Sequence, residues 1–279
     1  MLPSHIVFFT DLDGTLLDQH TYSWREASEA LAEIERRKIP LVFCTSKTRA
    51  EVEFLRRKIG NTHPFITENG GGIFVPHGYF PRRVEGATTV KTFHCLALAR
   101  PYSEILDALD EIAAQAGVEA VGFHKMSAKE IAENSGLDAE QVQLARQRDY
   151  DEPFFLAGAT PKQEEHFIRL ARDRKIEVVR GTRFWHIHAG SDKGRAVREL
   201  MKYYRAARRG EKLRAIAFGD SANDLPMLAA ADVAVLLPKP DGSFDEAVLA
   251  KLPRVTRGSA PGPAGWNEAV LELLQAEKA

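Results

Sequence analysis

The sequence holds only two cysteines in 279 residues, Cys44 and Cys95. Two thiols that far apart make no disulfide framework, and a chain this long buries enough surface to fold without staples. Cys44 stands inside an apolar run and reads as a small buried hydrophobe. No apolar run approaches the ~20 residues that cross a bilayer as a helix. The opening residues lack the basic start and apolar stretch of a secretion signal, so the cytoplasm is the expected location. An excess of one charge is missing too. Lys and Arg number 38 against 39 Asp and Glu, a formal net charge of -1, without the basic surplus of nucleic-acid binders. There is no internal repeat and no low-complexity tract. At 44% hydrophobic and 28% charged residues, what remains is an ordinary globular composition, sized for one large domain or two smaller ones.

What is present is a rhythm of apolar runs. Residues 5–10 form a continuous β-rich run, which suits a strand buried on both faces of a parallel sheet. A helical pattern follows over 23–37, a second buried strand over 39–45, a helix over 48–59 and a third strand over 64–67. Residues 68–72 read as a turn. Strand and helix alternating in this way predict a doubly wound α/β domain, a Rossmann-like parallel sheet. From about 90 to 188 the elements are shorter and more polar. The pattern there gives a strand at 92–98, a helix at 102–116, short helices at 127–133 and 139–146, a strand at 154–157 and a helix at 161–174. A hairpin of 177–180 and 183–188 turns about 181–182. This predicts a separate α+β unit inserted into the first. The α/β rhythm then returns: helix 192–204, strand 214–218, helix 225–230, strand 233–237 and a last helix from about 265. The expected division is a core of 1–90 and 189–279 with an inserted domain of 91–188.

The chemistry gathers at strand ends. Asp11–Leu12–Asp13–Gly14–Thr15 follows the first strand. Carboxylates at i and i+2 beyond a strand end lie on one side of the chain. They repel unless something positive sits between them, and a hard divalent cation with oxygen ligands answers that need. Gly14 permits a tight turn, and the Thr15 hydroxyl is expected to meet a phosphate oxygen. A second acidic cluster, Gly219–Asp220–Ser221–Ala222–Asn223–Asp224, also follows an apolar run. A parallel sheet brings such tips together, so Asp11, Asp13, Asp220 and Asp224 are expected to share one pocket. Thr45–Ser46–Lys47 sits at another strand end, with hydroxyls and a cation for phosphate oxygens. Ser191–Asp192–Lys193–Gly194 opens a helix and supplies a lysine as a point charge.

These four pieces, in this order, resemble the haloacid dehalogenase superfamily of phosphatases. The resemblance covers the whole chain, with the inserted middle matching a C2-type cap. Thr45–Ser46–Lys47–Thr48–Arg49, Glu68–Asn69–Gly70, Asp192–Lys193–Gly194 and Asp220–Ser221–Ala222–Asn223–Asp224 look more narrowly like the mannosyl-3-phosphoglycerate phosphatases. The tail Gly262–Pro263–Ala264–Gly265–Trp266–Asn267 does so most of all. Ser46–Lys47 stands where many cap-bearing relatives have Gly-Arg.

The resemblance implies that Asp11 is a nucleophile that becomes an aspartyl phosphate, and that Asp13 is first acid and then base. It implies Mg²⁺ held by Asp11, the Asp13 carbonyl, Asp220 and Asp224, with Thr45 and Lys193 on the phosphoryl oxygens. Ser46, Lys47, Glu68, Asn69 and Asn223 are expected to face substrate. A phosphoglycerate ester also carries a carboxylate, so a cationic cap residue is expected: Arg146 or Arg148, with Arg180 and Arg183 as further candidates. The expected partner is a small phosphorylated molecule rather than nucleic acid or membrane. Other readings stay open: a phosphatase of hexose phosphate, sucrose phosphate or glucosyl-3-phosphoglycerate, a mutase, or a phosphate-binding regulator without turnover. His186 and His188 alternate along one strand and face one way, yet no further ligand stands at zinc spacing. The favoured reading is a polar strand face near the seam of the two units. The Trp266 helix reads as packing.

Overall fold

The computed structural model describes residues 5–180, 184–208 and 212–276. Its centre is the strand Ile6–Thr10, in which every residue is buried. Side chains alternate across a strand, and here they feed two different layers. Phe8 joins one apolar cluster, with Ile34, Phe218, Trp266 and Val270. Val7 and Phe9 join another, with Val197, Leu200, Met227 and Val248. The helices Ser28–Arg36 and Gly262–Ala276 cover the first face. Lys193–Ala207, Leu225–Ala230 and Glu246–Lys251 cover the second. A sheet covered on both faces needs apolar side chains on both, which is why its strands read as unbroken apolar runs.

The core sheet has nine strands. From one edge they run Thr256–Arg257, Val233–Leu236, Arg214–Gly219, Ile6–Thr10, Leu41–Cys44, Phe65–Thr67, Gly72–Pro76, Phe93–Ala97 and Thr88–Val90. The first six are mutually parallel, and the last three attach antiparallel. The strand just beyond the expected boundary at 91 lies in this sheet. Phe93–Ala97 pairs in full with Gly72–Pro76 and belongs to the core sheet. Its alternating pattern, Phe93 and Cys95 buried with His94 and Leu96 less so, is that of a strand packed mainly on one face. Gly72–Pro76 and Thr88–Val90 add strands that the expected turn over 68–72 does not include.

A second, four-stranded antiparallel sheet has the order Glu119–Gly122, Asp151–Ala157, Trp185–His188, Glu177–Arg180. Tyr102–Ala116 and Pro161–Asp173 pack on one of its faces through Ile105, Leu109, Phe154 and Phe167. The short helices Ala128–Ser135 and Ala139–Ala145 contribute Ile131 and Val142 to a smaller cluster with Phe123 and Phe184. This is the cap. The turn expected at 181–182 lies outside the described residues, as does Arg183, but the two strands flanking it pair as expected. Both cysteines are buried and free. Among the described residues no helix is long and apolar enough to cross a membrane.

Candidate active site

Parallel register brings the two acidic tips together. Thr10 pairs with Phe218, and the Asp11 N–H donates to the Phe218 carbonyl at 3.0 Å. Asp11 and Asp220 therefore leave adjacent strands side by side. Asp11, Asp220 and Asp224 each offer a carboxylate oxygen within 4.8 Å of the others. Gly14 is needed beside them. Its φ is +81°, and a Cβ there would lie 2.8 Å from Asp220 Oδ2. The left-handed conformation and the close approach both select glycine.

Lys193, the first residue of its helix, is 1% exposed and joins this cluster. Its Nζ donates to Asp11 Oδ1 at 2.7 Å and to Asp224 Oδ1 at 2.6 Å. Asp192 caps the helix by accepting from the Arg195 N–H at 2.8 Å, which fixes where Lys193 begins. Asp224 is spoken for on both oxygens, since Oδ2 accepts from the Asp220 and Ser221 N–H groups at 3.0 and 3.2 Å. The electrostatics are those of anions in excess. Burial, then the charge of Asp224, pushes Asp11 up to about 7 against the pull of Lys193. Burial, Asp224 and Asp11 raise Asp220 well above the usual carboxylate range. Burial alone would lower Lys193, but Asp11 and Asp224 outweigh it and hold the ammonium raised.

Of the four carboxylates expected in one pocket, three crowd together, and Asp13 lines the same cavity a little apart from them. The Asp13 side chain turns away to Lys47, with Nζ 2.9 Å from Oδ2, while Asp13 Oδ1 is buried without a hydrogen-bond partner. Lys47 also lies 3.7 Å from Glu51 and 4.8 Å above the Tyr22 ring. Burial would lower Lys47, yet Asp13 and Glu51 more than offset it and raise it. Thr15 stands behind Asp220. It is fully buried, and its hydroxyl donates to Asp220 Oδ1 at 3.3 Å, which positions that carboxylate. Thr45 is buried, and its hydroxyl accepts from the Lys47 N–H at 3.2 Å.

Between core and cap lies a cavity of about 640 Å³ with Asp11, Asp13, Ser46, Lys47, Asp220 and Asn223 on its core wall. Asn69, Arg148, Arg180 and His186 also line it. Two residues expected to face substrate do not. Arg146 sits exposed at the C-cap of Ala139–Ala145 and is outside the cavity wall. Glu68 is fully buried and accepts from the backbone N–H groups of Asp149, Tyr150 and Asp151 at 2.7–3.1 Å. It ties the cap to the core. Burial, opposed by Arg148 and these N–H groups, pushes it up to about 7. Arg148 lines the cavity but is already engaged. It is paired with the Asp151 carboxylate, donates to the Ser46 carbonyl at 3.1 Å and stands 3.6 Å from Glu68.

Two further residues, not singled out for the site, stand behind or on its wall. Asp151 is fully buried and accepts from Asn69 Nδ2 at 3.2 Å. It also bonds His186 Nδ1 at 2.9 Å. The run Asp149–Tyr150–Asp151–Glu152 is a usable signal, because acidic residues are depleted in strands and two of them open this one. Lys239 reaches the cavity from the core and is held by Asp245 at 3.2 Å. The discriminating tail proves structural: Trp266 packs 5.7 Å from Phe218, and Asn267 accepts from the Ala30 N–H at 2.8 Å.

Residues 8–241 match the haloacid dehalogenase-like hydrolase family. A glucosyl-3-phosphoglycerate/mannosyl-3-phosphoglycerate phosphatase of Methanococcoides burtonii is 39% identical over 273 residues, covering 97% of each chain. One of the same name from Persephonella marina is 35% identical, covering 96% of this chain and 97% of its own. A mannosyl-3-phosphoglycerate phosphatase of Pyrococcus furiosus is 35% identical, covering 83% and 90%. Among solved structures, a sugar phosphatase described as HAD subclass IIB has a TM-score of 0.64 at 18% identity, covering 96% of this chain and 98% of that one. At that identity the likeness speaks for the fold.

Proposed function

The chain belongs to the haloacid dehalogenase-like hydrolases, and from that premise we propose that it is a phosphatase that cleaves a glycosyl-3-phosphoglycerate, mannosyl or glucosyl, to the glycosylglycerate and phosphate. The observation that carries the reading is the convergence of Asp11, Asp220, Asp224 and Lys193 at neighbouring strand tips. The substrate class is supported by the printed names of relatives that align along nearly the whole chain.

The donor set fits a divalent cation. It is all carboxylate oxygen, and one lysine leaves three crowded anions under-compensated, as the raised Asp11 and Asp220 attest. Asp11 and Asp220 would hold Mg²⁺, with the Asp13 carbonyl, and Asp224 would act through Lys193 and the 220–221 backbone. When bound, the ion would neutralise phosphoryl charge and polarise the ester. The chain's own residues do the rest. Lys193 holds one Asp11 oxygen, and the other attacks phosphorus as the ester P–O bond breaks. Asp13 gives its proton to the leaving glycerate oxygen. It then takes a proton from water, which attacks phosphorus and frees Asp11 from its acyl phosphate. Thr45 and Ser46 donate to phosphoryl oxygens, Asn223 lines the same cavity, and Lys47 holds the Asp13 side chain in place.

For the substrate carboxylate we favour Arg180 over Arg146 and Arg148. Among the described cavity cations it alone has no carboxylate partner, and it stacks 4.7 Å from the Trp185 ring. We assign residues from about 99 to 190 to the cap, since Phe93–Ala97 belongs to the core sheet.

The test is phosphate release with Mg²⁺ from mannosyl- and glucosyl-3-phosphoglycerate, hexose phosphates and phenyl phosphate. The highest kcat/KM is expected for the phosphoglycerate esters, and Asp11→Asn should lower it by at least ~10⁴-fold, as removal of a nucleophile does. A preference for hexose phosphates would overturn the substrate and leave the chemistry. Isomerised product with little free phosphate would point to a mutase.

A further inference from the structure

One oxygen organises the part of the cavity wall formed by Asn69 and His186. Asp151 Oδ2 bonds Asn69 Nδ2, from the core, at 3.2 Å and His186 Nδ1, from the cap, at 2.9 Å. The Asp151 carboxylate is itself paired with Arg148. Its charge is thus already balanced, and it holds both neighbours in one protonation pattern. Asn69 must present its NH₂ to the carboxylate, which turns the amide oxygen away. His186 must carry its proton on Nδ1, which leaves Nε2 a lone-pair acceptor. Both residues line the cavity. Asn69 Oδ1 is buried without a partner, and among the described residues His186 Nε2 has no hydrogen-bond partner. The Asn69 backbone, at φ 57°, adopts the left-handed conformation that asparagine tolerates better than most residues. Burial keeps the imidazole neutral, pushed down to about 3.

Two anchored acceptors select a ligand that donates two hydrogens. They reject an anion. We propose that Asn69 and His186 read a pair of neighbouring sugar hydroxyls, with Asp151 as the positioning residue that fixes both acceptors. This rests on the phosphatase reading above and deepens it. The glycosyl end of the ester lies against this wall, so the phosphate and carboxylate lie on the cationic side. Because Asn69 comes from the core and His186 from the cap, the hydroxyl pair is read only when the two units are together, and selectivity for the sugar is built across the seam.

The test compares mannosyl-3-phosphoglycerate with analogues that each lack one sugar hydroxyl. If the wild type prefers another sugar phosphate, that ester and its deoxy analogues serve instead. In wild type, removing a hydroxyl that is read should lower kcat/KM by roughly 5- to 10-fold, mostly through KM. His186→Phe keeps the ring shape and removes the acceptor, so the ratio of parent to one deoxy analogue should fall toward one. His186→Gln can offer an amide oxygen near the Nε2 position and should restore part of the ratio. Thermal melting checks that both variants fold, and Asn69→Ser gives a second, independent loss of discrimination should the Phe variant not fold. If the His186 and Asn69 variants lower parent and deoxy esters by one common factor, the proposal is overturned while the substrate reading stands. If the wild type turns over phenyl phosphate as well as any sugar ester, both fall.

Discussion

Lys193 bonds Asp11 and Asp224 at once, and so sets what substitution at each neighbour should do. Three carboxylates share that single ammonium, so the metal-free cluster opposes folding and a divalent cation relieves it. Adding Mg²⁺ should raise the melting temperature, by the equivalent of ~3 kcal/mol at a hundredfold excess over Kd. Asp220→Asn removes one of the anions. It should melt no lower than wild type in EDTA and lose most of the Mg²⁺ shift. An unchanged shift in that variant would remove Asp220 from the metal site. Gly14→Ala tests the same spot from the backbone side. Its φ of +81° and the 2.8 Å approach to Asp220 Oδ2 predict a loss of ~1–3 kcal/mol by denaturant unfolding and weaker Mg²⁺ binding. The chemistry of Asp11, Asp220 and Lys193 is legible in sequence because each sits at an element end, where a sheet must gather them. The turning of Asp13 toward Lys47, of Thr15 toward Asp220 and of Glu68 into the seam is not legible. Residue type states what a group can bond, and packing decides which way it points.

Between elements, the seam carries the largest single burden on one side chain. Glu68 receives three successive backbone N–H groups at the start of the strand Asp151–Ala157 and stands 3.6 Å from Arg148. Tyr150 packs closely enough on Gly71 that a Cβ there would meet it at 2.5 Å. Thr48, the capping residue of Arg49–Ile59, also donates to the Leu144 carbonyl at 2.9 Å. Glu68→Ala would strand the three N–H groups and leave Arg148 with Asp151 as its remaining carboxylate. It should cost ~3–5 kcal/mol of unfolding free energy, whereas Glu68→Gln, which keeps acceptor oxygen, should cost less. Equal stability of Ala and wild type in urea would mean the seam does not depend on it. Long apolar runs announce the central strands. The short ones, Gly72–Pro76, Thr88–Val90 and Glu119–Gly122, are visible only through their partners, because three to five residues carry too little periodicity to tell strand from turn.

Over the molecule as a whole, burial has made three histidines neutral, and this fixes the direction of acid sensitivity. Burial, then Arg56, pushes His63 down to about 4. Burial, then His186, pushes His188 to about 4, and His186 itself falls to about 3. Each lies below the 6.5 of an exposed imidazole. Their contribution to stability is complete above that value and is lost as pH falls toward the folded values, since unfolding then takes up protons. Glu68, held at about 7 against 4.5 when unfolded, acts in the opposite sense and gives up about one proton on unfolding in the same window. For these four groups together the net uptake near pH 5.5 is about two protons, so their share of the unfolding free energy should fall by ~2–3 kcal/mol per unit of acidification there, with Mg²⁺ present to keep the aspartate cluster ionised. His63 isolates one part of this. It lies away from the active site, bonded to Tyr79 at 2.7 Å, so His63→Gln removes one titration and leaves the cavity wall intact. Its slope of stability against pH should be shallower than wild type by ~1.4 kcal/mol per unit, the share of one proton. Superimposable slopes would show that His63 is already charged in the folded protein and that its burial does not exclude the proton.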